Sequence, residues 1–281
     1  MSRNFSLLQI VGKEEEYFQT AGAASELVDV PATPPGPAAF PAEFIHSQFP
    51  DQQQLDPKLS DQQALRFEME AWQLEELTKL VRGVFLEPGA ESNRPVTDRS
   101  VTNRTVVLAS SESGNGCSWI CARAGELLAS QVAGRVCLVD ANFGRATLHE
   151  HFGVPNHQGL SDALREEGPI GGYVSQLSRR NLALVSAGSG FSADRAQRSL
   201  VFSERMRSRL EELRADFDYV LVDSASLDVG NESIALGKMT DGIVLVLKTH
   251  STRKERTRSR VEDLKSAGVR ILGAVLNQPA S

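Results

Sequence analysis

The sequence predicts an α/β protein: a doubly wound, mostly parallel β-sheet with helices on both faces and a flexible N-terminal extension. Three observations predict it. Short apolar, β-branched runs recur at residues 105–110, 135–140, 182–186, 217–223, 243–247 and 271–276. Segments of helical period or high charge separate several of them, at 117–131, 204–215 and 253–266. Two of the runs end on an acid, Asp140 and Asp223. Near-continuous apolar strands alternating with helices are the pattern of a parallel sheet buried on both faces, whose ligand site lies at the carboxyl ends of the strands.

Taken in order, the chain opens with a segment, residues 1–60, that carries seven of the twelve prolines between Pro31 and Pro57, with many Ala and Gln and no sustained period. Such a composition reads as a flexible tail or linker. Within it Phe40, Phe44 and Ile45 form either a short docking peptide or residues resting loosely on the body of the protein. From Asp61 the pattern changes. Leu65, Trp72, Leu74, Leu77, Leu80, Val81, Val84 and Phe85 recur mostly at three- and four-residue steps, which predicts an amphipathic helix ending between residues 83 and 88. A polar linker to about residue 100 follows, and the strand at 105–110 then delivers a glycine loop into the helix at 117–131.

Composition narrows the function classes. Hydrophobic residues make up 41% and charged residues 23%, enough apolar material to build a core. The net charge of −6 argues against broad electrostatic wrapping of nucleic acid or an anionic membrane. Three cysteines, Cys117, Cys121 and Cys137, do not form a disulfide framework and suit a reducing, cytoplasmic setting. The N-terminal residues lack the apolar core of a secretory signal, and no apolar run reaches the roughly 18 residues of a membrane-spanning helix. Any membrane role is therefore expected to run through a partner.

The segment Ser111-Glu112-Ser113-Gly114-Asn115-Gly116-Cys117-Ser118 occupies the place of a phosphate-binding loop. Such a loop uses glycines to turn backbone N–H groups toward phosphates, a lysine to reach the β and γ phosphates, and a Ser or Thr hydroxyl for Mg²⁺. Gly114, Gly116 and Ser118 stand in register, but Cys117 occupies the lysine position. A neutral thiol forgoes a charge-assisted contact that contributes about 2–4 kcal/mol. ATP and Mg²⁺ are thus the ligands the loop implies, with weak binding and weaker phosphoryl transfer expected. Cys117 reads either as an inert replacement or, at a helix N-terminus, as a thiol of lowered pKa. Cys117 and Cys121, with His149 and His151 further on, lack the second ligand pair of a zinc site.

The order of these segments resembles a known family. The strand and altered loop, followed by Asp140-Ala-Asn142-Phe-Gly144-Arg145, Phe152-Gly-Val-Pro-Asn156, Gly159-Leu-Ser-Asp162 and the strand ending at Asp223, resemble the bacterial tyrosine kinases (BY-kinases, CpsD/CapB-like) of capsule and exopolysaccharide biosynthesis, within the MinD/ParA type of P-loop NTPases. The resemblance covers roughly residues 65–278 and implies a P-loop NTPase-like domain at 101–281, preceded by an assembly helix and linker at 61–100. It implies that Asp140 holds the metal and its water and helps deprotonate a tyrosine, that Ser118 and Asp223 share the Mg²⁺, that Gly114, Asn115, Gly116, Cys117 and Ser118 hold the nucleotide, and that Asn277 faces the adenine. Departures are equally specific. Asn142 replaces a second acid, Arg145 stands one place beyond the family's arginine, and Ala225 and Ser226 replace prolines. Glu76, Lys79 and Arg82 match the spacing of the family's subunit-joining Glu-x-x-Arg-x-x-Arg helix, and their alternative reading is an ordinary salt-bridged face. The tyrosine-rich tail of the kinases is absent, since the chain holds only Tyr17, Tyr173 and Tyr219.

Together these residues lead us to expect a catalytically impaired BY-kinase-like protein, a subunit or regulator of exopolysaccharide assembly. Its partners would be a membrane chain-length or export protein, itself, or an active relative. It would be cytoplasmic, held at the inner face of the membrane through that partner. Two alternatives stand beside it: an active ATP-dependent tyrosine kinase or ATPase, and a MinD/ParA-type positioning protein using the basic run 253–260.

Overall fold

The computed structural model describes residues 3–8, 69, 71–86, 103–189, 199–248 and 254–279. Period-two alternation in its strands sets the architecture. In β2 (Arg104–Ser110), Val106 and Leu108 point to one face, Val107 and Ala109 to the other. The same division recurs in β3 (Val136–Ala141), β5 (Leu182–Val185), β6 (Tyr219–Ser224) and β7 (Gly242–Lys248). Because both faces are apolar, helices must cover both. On one face α1 (Ala71–Val81) contributes Leu77, Leu80 and Val81, and α2 (Cys117–Gln131) contributes Ile120, Cys121 and Leu128. The opposite face receives Met206, Leu210 and Leu213 of α5 (Glu204–Asp216), Leu236 of α6 (Glu232–Met239) and Leu264 of α7 (Lys254–Ser266). The short helices α3 (Leu148–Phe152) and α4 (Leu160–Ala163) close the region after β3.

With β1 (Arg3–Leu8), β4 (Val174–Gln176) and β8 (Ile271–Pro279), the sheet has eight strands in the order β1-β8-β7-β2-β6-β3-β5-β4. The run from β8 to β5 is parallel, while β1 and β4 lie antiparallel at the two edges. The doubly wound, mostly parallel sheet expected from the sequence is therefore the fold. Within the 1–60 segment, Arg3–Leu8 joins the sheet against β8, with Phe5 opposite Asn277; the Phe40, Phe44 and Ile45 peptide and Tyr17 lie outside the described residues. The helix expected from residue 61 is described as α1 and continues as a single π turn, Arg82–Leu86, at Gly83.

The Gly-Leu-Ser-Asp segment has a structural reason for its residue types. Leu160 and Ser161 donate their N–H groups to the carbonyls of Ser186 and Ala187 at 2.7 and 2.9 Å, and the Asp162 carboxylate accepts from the Gly159 N–H at 2.8 Å. Gly159 is pressed so closely against the backbone at Ser186 and Gly188 that a Cβ would overlap the Ser186 carbonyl. Replacing Gly159 by Ala should therefore cost about 2–3 kcal/mol, because the obstacle is backbone and not a movable side chain. Gly171→Ala, where a Cβ meets nothing within 4 Å, should be near neutral. Urea denaturation of both variants checks the pair, and equal stabilities would contradict the packing argument.

Candidate functional site

The loop after β2 turns on two left-handed glycines, Gly114 and Gly116, each with φ of 84°. Both conformations are strained for a residue bearing a Cβ. Gly116 ends the loop as the N-cap of α2, so the helix N-terminus and its free N–H groups open into the space above the sheet. Hydrogen bonds fix the loop's shape from several sides. Asn115, buried, donates to the Ser111 hydroxyl at 3.1 Å, and the Asn277 amide donates to the Asn115 carbonyl at 2.7 Å. The hydroxyls of Ser113 and Ser226 meet at 2.8 Å, and the Leu227 N–H donates to the Ser110 carbonyl at 2.9 Å. Ser226, one of the residues standing where the kinases have prolines, thus clasps the loop to the segment after β6.

A cleft of about 550 Å³ opens at the carboxyl ends of β2, β3 and β6. Gly114, Asn115, Gly116, Cys117 and Ser118 line it together with Asn142 and Arg145. Asp140 and Asp223 are wholly buried and do not line it; they are direct register partners on the adjacent parallel strands β3 and β6. Asn277 lies on β8 behind the loop, buried, with its Oδ1 lacking a hydrogen bond. Glu76 and Lys79 lie far from the cleft on α1, where Lys79 pairs with both Glu75 (3.0 Å) and Glu76 (2.9 Å), and Arg82 is exposed at the start of the π turn. The cleft residues Trp119, Glu150 and Glu232 carry no motif signal; only the rule that strand ends line the site points toward the loops that hold them.

The two buried aspartates differ in what they touch. Asp140 is saturated: one oxygen accepts from the Asn142 N–H at 3.2 Å, the other from those of Thr147 and Leu148 at 3.1 and 3.0 Å. Burial and then the neighbouring Asp223 charge nonetheless push its carboxyl well above the usual range, with those N–H groups opposing. Neither oxygen of Asp223 has a hydrogen bond of normal geometry, although the Ser118 hydroxyl and Cys117 thiol face it. Burial raises Asp223 to about 7. Two carboxyls side by side in an apolar interior cannot both ionise cheaply without a cation. An orphaned buried carboxylate beside a Ser hydroxyl fits a divalent ion such as Mg²⁺, whose ligands are oxygens.

Cys117 does not fit the role of a cation. Burial first, then the Asp223 charge, pushes its thiol well above the ordinary value, and Cys121 behind it is raised in the same way. Desolvation and a nearby acid thus oppose the helix dipole and weigh against a reactive thiol of lowered pKa at this helix N-terminus. Among the described residues no group of three or more His, Cys, Asp or Glu is placed to hold a metal ion.

The sign of the Asp223 effect can be measured. An unfolded Asp titrates near 4, so between about pH 4 and 7 the folded state binds more protons than the unfolded, and this group's contribution to stability falls as pH rises. Without Mg²⁺, Asp223→Asn should raise Tm at pH 8, by on the order of 5 °C, and change it much less at pH 5. A loss of stability at both pH values would contradict the raised pKa.

No family model matches the chain. Individual proteins do. It is 27% identical over 174 residues to the tyrosine-protein kinase YwqD of Bacillus subtilis, covering 62% of this chain and 72% of that protein. It is 22% identical over 190 residues to the putative tyrosine-protein kinase CapB of Staphylococcus aureus, covering 68% and 82%. The succinoglycan biosynthesis transport protein ExoP of Rhizobium meliloti is 29% identical over 178 residues, covering 63% of this chain but only 22% of that much longer protein. Among solved structures, the kinase domain of the Escherichia coli tyrosine kinase ETK superposes with a TM-score of 0.61 at 21% identity, over 74% of this chain and 78% of that one. The septum site-determining protein MinD of Pyrococcus horikoshii, complexed with Mg-ADP, superposes at 0.51 with 20% identity, over 61% and 69%. In sequence the chain is similar to bacterial tyrosine kinases, the BY-kinases, and its fold is the one that the ETK kinase domain and MinD share.

Proposed function

We propose that the chain is a BY-kinase-like subunit or regulator of capsule or exopolysaccharide biosynthesis, whose cleft retains the form of a nucleotide site and has lost most of its phosphoryl-transfer chemistry. The observation that carries this reading is the neutral, buried Cys117 where a phosphate-binding loop places its lysine. The glycine cradle, the helix N-terminus, Ser118 and the orphaned Asp223 support a retained Mg²⁺-nucleotide geometry. In this reading Ser118, Asp223 and Asp140 hold the ion, Asn115 and Asn277 fix the loop, and Asp140 is too fully bonded to its own backbone neighbours to serve as an effective base. The partners are then a membrane chain-length or export protein and other subunits, met through the outer face of α1 at Glu76, Lys79 and Arg82. Among the described residues no helix is long and apolar enough to cross a membrane.

The second reading, a working kinase or ATPase, draws on the same intact cradle and needs a cation from elsewhere. A positioning protein bound to nucleic acid draws less support. In the basic run, Arg256 faces Glu112 at 3.6 Å, Arg258 faces Glu262 at 3.2 Å and Arg260 faces Asp263 at 3.2 Å, so its charge is largely answered locally; Arg253 lies outside the described residues.

Titration with Mg-ATP tests the proposal. The wild type should bind weakly, at high-micromolar levels or above, without measurable turnover, and Cys117→Lys should tighten binding by about tenfold or more. Micromolar binding with turnover in the wild type would sink the impaired reading.

A further inference from the structure

The cleft as described is poorly suited to any anion. Its loop contributes backbone dipoles but no full positive charge, Glu150 and Glu232 stand in its walls, and two buried acids lie beneath it. Arg145 is the one lysine or arginine among the described residues that line it. We propose that Arg145 supplies the positive charge the loop lacks, binding the phosphate groups of a nucleoside di- or triphosphate seated on the glycine cradle. The proposal rests on the nucleotide reading above and deepens it.

Three observations carry it. First, the Arg145 guanidinium has no ion-pair or hydrogen-bond partner among the described residues. The buried or partly buried arginines Arg123, Arg209 and Arg214 are by contrast matched with Glu126, Glu212 and Asp241. An unmatched guanidinium in a cleft with acidic walls keeps all five donors for a ligand. Second, the turn that presents it is held firmly. The Arg145 N–H donates to the Asn142 carbonyl at 3.0 Å, and the buried Asp140 carboxylate accepts from Asn142 before the turn and from Thr147 and Leu148 after it. The side chain therefore leaves from a fixed base, and little backbone order is lost on binding. Third, its chemistry suits the partner. A guanidinium is charged at every working pH and meets phosphate oxygens as a planar fork, whereas the Cys117 thiol is held neutral by its surroundings.

The site also explains the displaced arginine. With Gly144 exposed and Arg145 one place further along the turn, the cation lines the same cleft as the loop. A charge lost from α2 is thereby answered from the end of β3.

Calorimetric titration of the full chain with Mg-ADP and with adenosine, at fixed ionic strength, tests the assignment. Arg145 is exposed, so Arg145→Gln should melt as the wild type does. It should bind Mg-ADP about tenfold or more weakly and adenosine unchanged, while Arg180→Gln, at the opposite end of the sheet, should leave both alone. In a Cys117→Lys background the same substitution should cost less than about threefold, because a lysine then shares the phosphates. Mg-ADP binding by Arg145→Gln equal to wild type would overturn the assignment and leave the nucleotide reading standing. Equal loss of Mg-ADP and adenosine would overturn it in favour of a structural role. Binding by Cys117→Lys with none by the wild type at millimolar concentration would show that Arg145 does not replace the lysine. Absence of binding by both proteins would remove the nucleotide reading and this proposal with it.

Discussion

The paired burial of Asp140 and Asp223, side by side at the ends of two adjacent parallel strands, is the constraint around which this molecule is arranged. Each strand is otherwise apolar on both faces, so the sheet must be sealed by helices, and the only break in that apolar pattern falls where the cleft begins. Burial raises the proton affinity of both carboxyls, and the Asp223 charge adds to the rise at Asp140. Three backbone N–H groups support Asp140; Asp223 is faced by the Ser118 hydroxyl and the Cys117 thiol without a hydrogen bond of normal geometry.

The loop above the pair is shaped by interactions that do not involve the side chain at position 117. Asn277 from the far side of the sheet, Ser226 from the segment after β6 and Leu227 through its backbone all anchor it. The cradle's geometry is therefore set without a fixed charge at position 117. A protein can keep the form of a nucleotide site in this way while its chemistry changes, since backbone N–H groups come from the fold and the cation from a single side chain.

Much of the fold is legible in the sequence because near-continuous apolar, β-branched runs leave few alternatives. The parallel strands of the central sheet and α2, α5 and α7 fall within a few residues of where periodicity puts them. The edge strands are not legible. Residues 3–8 show no clean alternation, and Val174–Gln176 is too short to announce itself; both are strands because an unpaired sheet edge beside them offers hydrogen bonds. The helix Glu232–Met239 is likewise set by packing, with Leu236 buried and a weak apolar stripe.

At the site the division has a physical basis. Residue type and order by themselves determined the glycine loop, the two strand-end acids and the missing lysine, because these are local facts about backbone freedom and charge. Tertiary structure alone decided what those residues experience. Cys117 lies at a helix N-terminus, where a lowered pKa would be expected from the dipole, yet burial against Asp223 raises it. Arg145 reads as a misplaced family residue until the turn carrying it is seen to line the same cleft as the loop. Charges and dipoles act through space and through the dielectric around them, and neither the distances nor the desolvation exist until the chain is folded.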